Sequence, residues 1–138
     1  MSRWSHDELR EWLAPTPGRK RMRLALDHVR QALARLSNPE LSFPSIHVAG
    51  TNGKGSLCVH LAARGAANGV LTGVFSSPHL VHVEERVRID GQPISPEEFD
   101  LALSEVREAV EREPMIEITY YEKTMLVAMM AFHRAKID

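Results

Sequence analysis

Apolar positions that recur every three or four residues predict two helices in the first part of the chain. The shorter helix covers residues 5–14, and Ser5 and Glu8 stand at capping-box spacing at its start. The longer helix runs from about Met22 to Leu36, with a single apolar stripe along one side. Asn38-Pro39 ends it, because the residue before a proline is disfavoured in helical geometry.

Two further helices are predicted in the second half of the chain. Ser95-Pro96 supplies an N-cap and a proline in the first turn, and Pro114 closes the segment. Residues 124–132 are apolar almost all round, which is typical of a helix that is covered on more than one side. The helix that begins at Ser95 should bury one stripe, made up of Phe99, Ala102, Leu103, Val106 and Val110.

Short apolar runs rich in branched residues predict strands between these helices. Residues 45–48 read as a buried strand before a helical pattern over 57–65, and residues 70–75 form the next strand. Strands linked in this way normally lie parallel in a doubly wound sheet, with ligands beyond their C-terminal ends. Residues 84–91 predict a charged loop that enters a small extended piece turned by Asp-Gly, and residues 135–138 begin another strand.

Three glycines and a lysine lie within residues 50–55, between the predicted strand and the helix that follows. Strand, glycine loop and helix N-terminus together form a geometry that binds phosphate, because loop N–H groups point inward and the helix dipole favours an anion. The lysine adds a full positive charge, and glycine allows backbone angles that are closed to other residues. The candidate phosphate-binding residues are Gly50, Thr51, Asn52, Gly53, Lys54, Gly55 and Ser56.

This loop does not meet the strict P-loop consensus G-x-x-x-x-G-K-[ST]. The first glycine of the consensus would fall at Val48, and Gly55 separates Lys54 from Ser56. The alternative interpretation is a glycine-rich turn that carries one exposed lysine. The placement of Asn-Gly-Lys-Gly between a strand and a helix favours the phosphate site.

Composition describes one ordinary globular domain of 138 residues, with 43% hydrophobic and 25% charged residues. A net charge of −1 gives no reason to expect nucleic acid or an acidic membrane as partner, although Arg19, Lys20, Arg21 and Arg23 form a local basic cluster. The sequence shows neither a membrane-length apolar run nor a signal-peptide pattern. One cysteine, Cys58, predicts a small buried thiol and suits a reducing compartment, so we expect a cytoplasmic protein.

Five motifs occur along the chain in a fixed order. They are Trp12-Leu13 with a basic loop and the helix end at 35–39, then His47 to Ser56, Ser77-Pro78-His79-Leu80, Glu85-Arg86-x-Arg88-x-x-Gly91-x-x-Ile94, and Thr119-Tyr120-Tyr121-Glu122. Together they resemble the folylpolyglutamate synthase and dihydrofolate synthase branch of the Mur ligases. The opening departs most, because Ala25-Leu26-Asp27-His28-Val29 stands where the family usually has Gly-Leu-Glu-Arg-hydrophobic.

The resemblance implies an α/β, P-loop-type, three-layer domain with a mostly parallel sheet, the central ATPase domain of the Mur ligases. It implies ATP-dependent amide bond formation, in which a carboxylate of a pterin or folate acceptor is phosphorylated and the amine of L-glutamate attacks the acyl phosphate. Gly50 to Ser56 would bind ATP, and Lys54 would counter the charge that develops in phosphoryl transfer. Ser77 would bind Mg²⁺, unless it is a plain turn serine, and Ser56 would cap the helix or meet the metal.

On the acceptor side, the resemblance assigns Thr119, Tyr120, Tyr121 and Glu122 to the pterin, on which an aromatic ring can pack. The alternative is a threonine-capped helix start with two core tyrosines. Glu85 and Arg86 belong to a loop near the substrate, or form a solvated charge pair. His79 and His82 do not indicate zinc, because no cysteine or carboxylate cluster completes such a site and loop histidines commonly face solvent.

In the family, a metal-binding glutamate, a glycine-rich arginine-containing stretch and a C-terminal glutamate-ligase domain follow this region. We therefore expect residues 1–138 to be the N-terminal portion of the ATP-binding domain of a ligase that is a monomer at full length, and to be inactive alone. A non-catalytic nucleotide-binding protein and a structural remnant remain alternatives. A Mur-type peptidoglycan ligase is disfavoured by residues 54–56 and 77–79.

Overall fold

The computed structural model describes residues 2–15 and 26–138. The predicted basic cluster at 19–23 and the first residues of the helix predicted from Met22 lie outside the described residues. The helices are α1 (His6–Leu13), α2 (Asp27–Arg35), α3 (Lys54–Ala67), α4 (Pro96–Glu111) and α5 (Tyr120–Ala135), and the strands are β1 (Gly73–Phe75), β2 (Val87–Ile89) and β3 (Gln92–Pro93). Short 3₁₀ turns occupy Pro39–Ser42 and Val83–Arg86.

The core lies around α5, which packs against α4, against β1 and β2, and against the 3₁₀ turn at Pro39–Ser42. Helix α5 buries side chains on several sides, including Thr124 and Leu126 at 0% exposure. The Thr124 hydroxyl donates to the Tyr121 carbonyl oxygen at 2.8 Å, so burying this polar group costs no hydrogen bond. The stripe predicted on α4 is also confirmed, because all five of its residues are buried.

Capping boxes begin three of the five helices within residues 2–15 and 26–138. Ser5 and Glu8 begin α1, Ser95 and Glu98 begin α4, and in each pair the hydroxyl accepts from the glutamate N–H while the carboxylate accepts from the cap residue N–H. Thr119 begins α5 in the same way. The first two starts were predicted from the sequence and are confirmed. Such a prediction is possible because a capping box depends only on two residues that lie three positions apart.

The sheet has three strands in the order β1-β2-β3, and both pairs are antiparallel. Asp90 and Gly91 have φ angles of 51° and 78°, the positive pair that a tight hairpin turn requires, so the predicted Asp-Gly turn is confirmed. The predicted mostly parallel sheet is not seen among the described residues. The hairpin pairs β2 with β3, which follow each other directly in the sequence. Two parallel strands must instead be joined by a long crossover connection.

The predicted strand at 45–48 is wrong for this structure. Residues 44–50 form neither helix nor strand, and the Ile46 side chain is 77% exposed. The helix after them is present as α3, yet none of its residues is buried, and the Cys58 thiol is only half-buried. A strand needs a hydrogen-bonded neighbour and a face to bury, and the described residues give this segment neither.

Two further predictions concern strands at residues 70–75 and 135–138. The first is confirmed in part, because the strand is reduced to β1, and the second is wrong, because residues 135–138 form no strand. The Asp138 N–H donates to the Leu71 carbonyl oxygen at 3.0 Å, and the Leu71 N–H donates to the Asp138 carboxylate at 2.7 Å. The end of the described chain thus lies beside the segment that leads into β1.

Charged side chains attach the N-terminal helices to α4 and its surroundings. The Arg10 guanidinium pairs with Glu84 at 2.7 Å and with Asp100 at 2.8 Å, and it lies 4.8 Å from the centre of the Phe99 ring. Arg35 of α2 donates to the carbonyl oxygens of Ala109, Arg112 and Pro114 at 2.6–2.9 Å, which satisfies the C-terminal end of α4. In the part of the chain that is described, no helix combines the length and apolar character needed to cross a bilayer.

Glu85 organises the exposed loop between β1 and β2. Its carboxylate accepts from three consecutive backbone N–H groups, those of Leu80 (2.9 Å), Val81 (3.0 Å) and His82 (2.8 Å). These bonds, the one from His82 foremost, lower the pKa of the Glu85 carboxyl from 4.5 to about 2. The loop is therefore held by an ionised side chain at neutral pH.

Phe99→Ala should destabilise the protein by about 3–5 kcal/mol, because it removes a fully buried ring of α4. The measurement is the free energy of unfolding by chemical denaturation. Leu101→Ala on the same helix is the control, since Leu101 is 38% exposed, and it should cost less than about 1 kcal/mol. Equal losses in the two variants would contradict the assignment of the core.

Glu85→Gln should lower the melting temperature at neutral pH, because the amide replaces a charged acceptor of three N–H groups. A carboxyl with a lowered pKa stabilises the folded state above its unfolded value of 4.5, and this contribution is lost as pH falls through about 2. The difference in melting temperature between wild type and variant should therefore shrink over that range. Glu113→Gln, in the exposed segment after α4, is the control, and a difference that stays constant on acidification would refute the role of Glu85.

Candidate functional site

The glycine loop at 50–56 is exposed and takes backbone conformations that suit glycine. Gly50 and Gly53 have φ angles of 151° and 77°, which side chains disfavour. Around Gly53 and Gly55 an added Cβ would meet nothing within 4 Å, so the loop is open to solvent on that side. The backbone of the observed loop is therefore accessible from solvent on that side.

The N-terminus of α3 points its unpaired N–H groups into this loop. The first helical hydrogen bond runs from the Leu57 N–H to the Gly53 carbonyl oxygen at 3.0 Å, so the N–H groups of Lys54, Gly55 and Ser56 precede the helical ladder. Gly53 is the N-cap, and no side chain caps the helix. The capping role considered for Ser56 is thus wrong, and the positive end of the helix dipole is left without an internal anion.

Lys54 holds the loop together in this structure. Its ammonium group donates to the carbonyl oxygen of Gly50, four residues earlier, and the side chain is exposed. The ammonium therefore lies at the loop itself, where it can exchange a neutral carbonyl for a phosphate oxygen. Backbone donors, a helix N-terminus and one lysine are the groups that bind a phosphate chain.

The Ser77 turn follows β1 directly. The Ser76 N–H donates to the Arg86 carbonyl oxygen at 3.0 Å, and the exposed Ser77 and Pro78 follow, joined by a cis peptide bond. His79 is half-buried, and its Nδ1 atom accepts from the Arg86 Nε–H at 2.9 Å. The expectation that His79 faces solvent is wrong, because a neighbouring guanidinium holds it.

Ser77 supplies one hydroxyl oxygen, which suits a hard cation such as Mg²⁺ but does not bind it alone. Mg²⁺ commonly takes one or two protein oxygens and completes its shell with water and phosphate. No group of three histidine, cysteine or acidic residues that could hold a metal occurs within residues 2–15 and 26–138. The residues present therefore fit a magnesium ion that is shared with a phosphate chain.

The stretch Thr119–Glu122 forms the first turn of α5. The Glu122 carboxylate accepts from the Thr119 N–H at 2.7 Å with one oxygen and lies 2.8 Å from the His28 Nε2 atom with the other. The threonine cap considered as an alternative is present, and Tyr120 is half-buried against the core, but Tyr121 is not a core residue. Tyr121 is 51% exposed, and its ring lies 5.5 Å from that of Phe75.

The two residues considered for a substrate loop do not pair with each other. The Glu85 carboxylate is occupied by the loop N–H groups, and the Arg86 side chain is 8% exposed, so the solvated charge pair is wrong. The Arg86 guanidinium lies 5.1 Å from the centre of the Tyr120 ring. The structure thus brings the Ser77 turn and the first turn of α5 together through Arg86, and through Phe75 on Tyr121.

Sequence reasoning missed two side chains at this place. His28 contacts Glu122 although 94 residues separate them, and the departure from the family pattern at positions 25–29 was the available signal. Phe75 was read only as a strand residue, and nothing in its local sequence indicates contact with Tyr121. Both contacts depend on how α2 and β1 pack beside α5.

Comparisons with known proteins agree with the motifs. No protein-family model matches the chain. The dihydrofolate synthase/folylpolyglutamate synthase of Escherichia coli K12 is 37% identical over 119 residues, which is 86% of this chain and 28% of that protein.

Solved structures of known proteins also match the fold of this chain. The bifunctional folylpolyglutamate synthase/dihydrofolate synthase of Yersinia pestis, solved with AMPPNP and a manganese ion, superposes with a TM-score of 0.81 and 34% identity, covering 99% of this chain and 32% of that one. A folylpolyglutamate synthase complex with AMPPCP and folate gives a TM-score of 0.86 and 29% identity, over 98% and 34% of the two chains.

The chain spans about a third or less of the length of these relatives, whereas they match nearly all of it in structure. The sequence identity, the superposed fold and the ordered motifs all agree. The chain corresponds to part of a full-length relative, and the matches are consistent with the Mur ligases. It belongs to the folylpolyglutamate synthase and dihydrofolate synthase family.

Proposed function

We propose that this chain is the N-terminal, ATP-binding part of a ligase that joins L-glutamate to a carboxylate of a pterin or folate acceptor. The observation that carries the proposal is the open glycine loop at the N-terminus of α3, with Lys54 at its mouth. The relatives support it, because solved members hold AMPPNP with manganese, or AMPPCP with folate. ATP would phosphorylate the carboxylate of the acceptor, and the amine of L-glutamate would attack the resulting acyl phosphate.

The nucleotide half of the proposed site is the segment Gly50 to Ser56. Its backbone N–H groups and the dipole of α3 would bind the phosphate chain, and Lys54 would leave the Gly50 carbonyl to meet the transferred phosphoryl group. Ser77 would contribute an oxygen to Mg²⁺, which neutralises phosphate charge when bound. The chain's own residues therefore bind and orient the nucleotide, while the second substrate lies on α5.

The acceptor half is the first turn of α5. The exposed Tyr121 offers a ring face to a flat heterocycle, and Glu122 is fixed by Thr119 and His28. The segment at Glu85 and Arg86 would border the acceptor through the loop that it supports. Which acceptor is used, dihydropteroate or folate that already carries glutamate, depends on contacts at Thr119–Glu122 and at Leu26 to Val29.

Further parts of the proposal concern the whole protein. The mostly parallel sheet of the central ATPase domain would form beside β1, where Asp138 already hydrogen-bonds Leu71. The remaining metal ligand and the glutamate-binding domain would come from the region of the relatives beyond the match. We propose a cytoplasmic, monomeric enzyme with small-molecule substrates and no nucleic-acid or membrane partner, in keeping with the single cysteine and the near-neutral charge.

Lys54→Ala should lower the affinity of the chain for ATP by about ten- to hundredfold, because a charge-assisted bond to phosphate contributes about 1.5–3 kcal/mol. Calorimetric titration of the 138-residue chain with ATP and Mg²⁺ measures the effect. Arg64→Ala is the matched control, since Arg64 is an exposed cation in the last turn of the same helix. No binding by wild type would favour a structural remnant, and equal losses in both variants would show that Lys54 does not contact the phosphates.

Ser77→Ala should raise the Mg²⁺ concentration needed for half-maximal ATP binding by at least roughly tenfold, since even substitution of a residue that only orients a metal ligand costs metal affinity on this scale. ATP binding without metal should not change. Ser76→Ala is the control, because its N–H bond to the Arg86 carbonyl survives the substitution. A Ser77→Ala chain with unchanged metal dependence would identify Ser77 as a plain turn residue.

A further inference from the structure

We propose that Arg86 is a positioning residue that joins the metal-side turn at Ser77–His79 to the acceptor-side turn of α5. Through it, both halves of the proposed site keep one fixed arrangement. The inference rests on the proposed function for its substrates, but its structural basis is independent of that function. It assigns Arg86 a role through its neighbours rather than through contact with a reacting group.

Arg86 is buried, and its Nε–H group, its guanidinium carbon and its carbonyl oxygen each contact a neighbour. The side chain is 8% exposed, its Nε–H donates to His79 Nδ1 at 2.9 Å, and its guanidinium lies 5.1 Å from the Tyr120 ring centre. Its carbonyl oxygen accepts from the Ser76 N–H at 3.0 Å, one residue before Ser77. A buried guanidinium needs such partners, because leaving it without them is costly.

The bond to His79 fixes which ring nitrogen carries the proton. Arginine is always protonated, so Nε is a donor and His79 Nδ1 must accept. The neutral imidazole then carries its hydrogen on Nε2. Arg86 thus sets both the orientation and the tautomer of His79, two residues after Ser77.

The planar shape of arginine makes this arrangement possible. The guanidinium carbon lies over the Tyr120 ring while the Nε–H group donates to His79. A lysine ammonium is a compact charge without an edge and a face, so it cannot make both contacts in the same way. The neighbouring Glu85 holds the other end of the loop, at Leu80 to His82, which limits how far His79 can move.

The test compares Arg86→Lys with Arg88→Lys. Both variants keep the charge in the same segment, but the Arg88 side chain makes only a 3.4 Å bond to the Gly91 carbonyl oxygen. Three quantities are measured on the 138-residue chain: the ¹⁵N histidine spectrum at about pH 8, the Mg²⁺ dependence of ATP binding, and the affinity for pteroic acid. The melting temperature confirms that each variant is folded.

We expect wild type and Arg88→Lys to show His79 as a single Nε2–H tautomer, and Arg86→Lys to show exchange between tautomers. Arg86→Lys should also weaken metal-dependent ATP binding and pteroic acid binding together, each by about two- to thirtyfold, the range spanned by cation–π contacts. Tyr120→Leu serves as a second variant if Arg86→Lys does not fold. It should weaken pteroic acid binding and leave the His79 tautomer unchanged.

Two results would overturn the proposal. An unchanged His79 spectrum in Arg86→Lys would show that Arg86 does not hold the turn. A loss confined to pteroic acid binding would show that Arg86 contacts the acceptor directly. A wild-type chain that binds neither ligand would refute the proposed function instead, and the His79 tautomer alone would then decide whether Arg86 fixes the turn.

Discussion

The burial of α5 is the constraint on which the rest of this structure depends. Helix α5 packs against α4 and against β1 and β2, and it also touches the turn at Pro39–Ser42. Because its side chains fill the core from several sides, α5 cannot shift without disrupting the packing. Its first turn, which carries Thr119 to Glu122, is therefore held in place by the core and not by the loop before it.

Local features of the fold could be predicted from the sequence, and features that need a distant partner could not. The capping residues Ser5 and Ser95 act within one turn of a helix, and Asp90-Gly91 acts within one hairpin. The strand predicted at 45–48 failed for the opposite reason, since its apolar residues would need a neighbouring strand that the described residues do not supply. An apolar run indicates a capacity for burial, which is realised only when a surface covers it.

The candidate site divides in the same way. The glycine loop was predicted from composition and spacing, because glycine conformation and a helix N-terminus are properties of the local chain. The contacts of His28 with Glu122, and of Arg86 with His79 and Tyr120, were not predicted. The contacts of His28 with Glu122 and of Arg86 with Tyr120 join residues that are far apart in sequence. The contact of Arg86 with His79 needs a loop conformation that Glu85 imposes.

This division implies that the two halves of the proposed site respond differently when packing in the core is lost. The glycine loop keeps its shape through its own bonds, such as the one from Lys54 to Gly50, and α3 beside it buries none of its residues. The acceptor half depends on α5, α2 and β1 being packed together. Loosening the core should therefore disturb Thr119 to Glu122 before it disturbs the glycine loop. A local region opens when the contacts that hold that region are lost, and the core contacts hold only the first of these two segments. Arg86 lies at the boundary between the two halves. Its carbonyl oxygen accepts from Ser76 in the turn after β1, and its side chain lies against Tyr120 of α5, so its geometry depends on both.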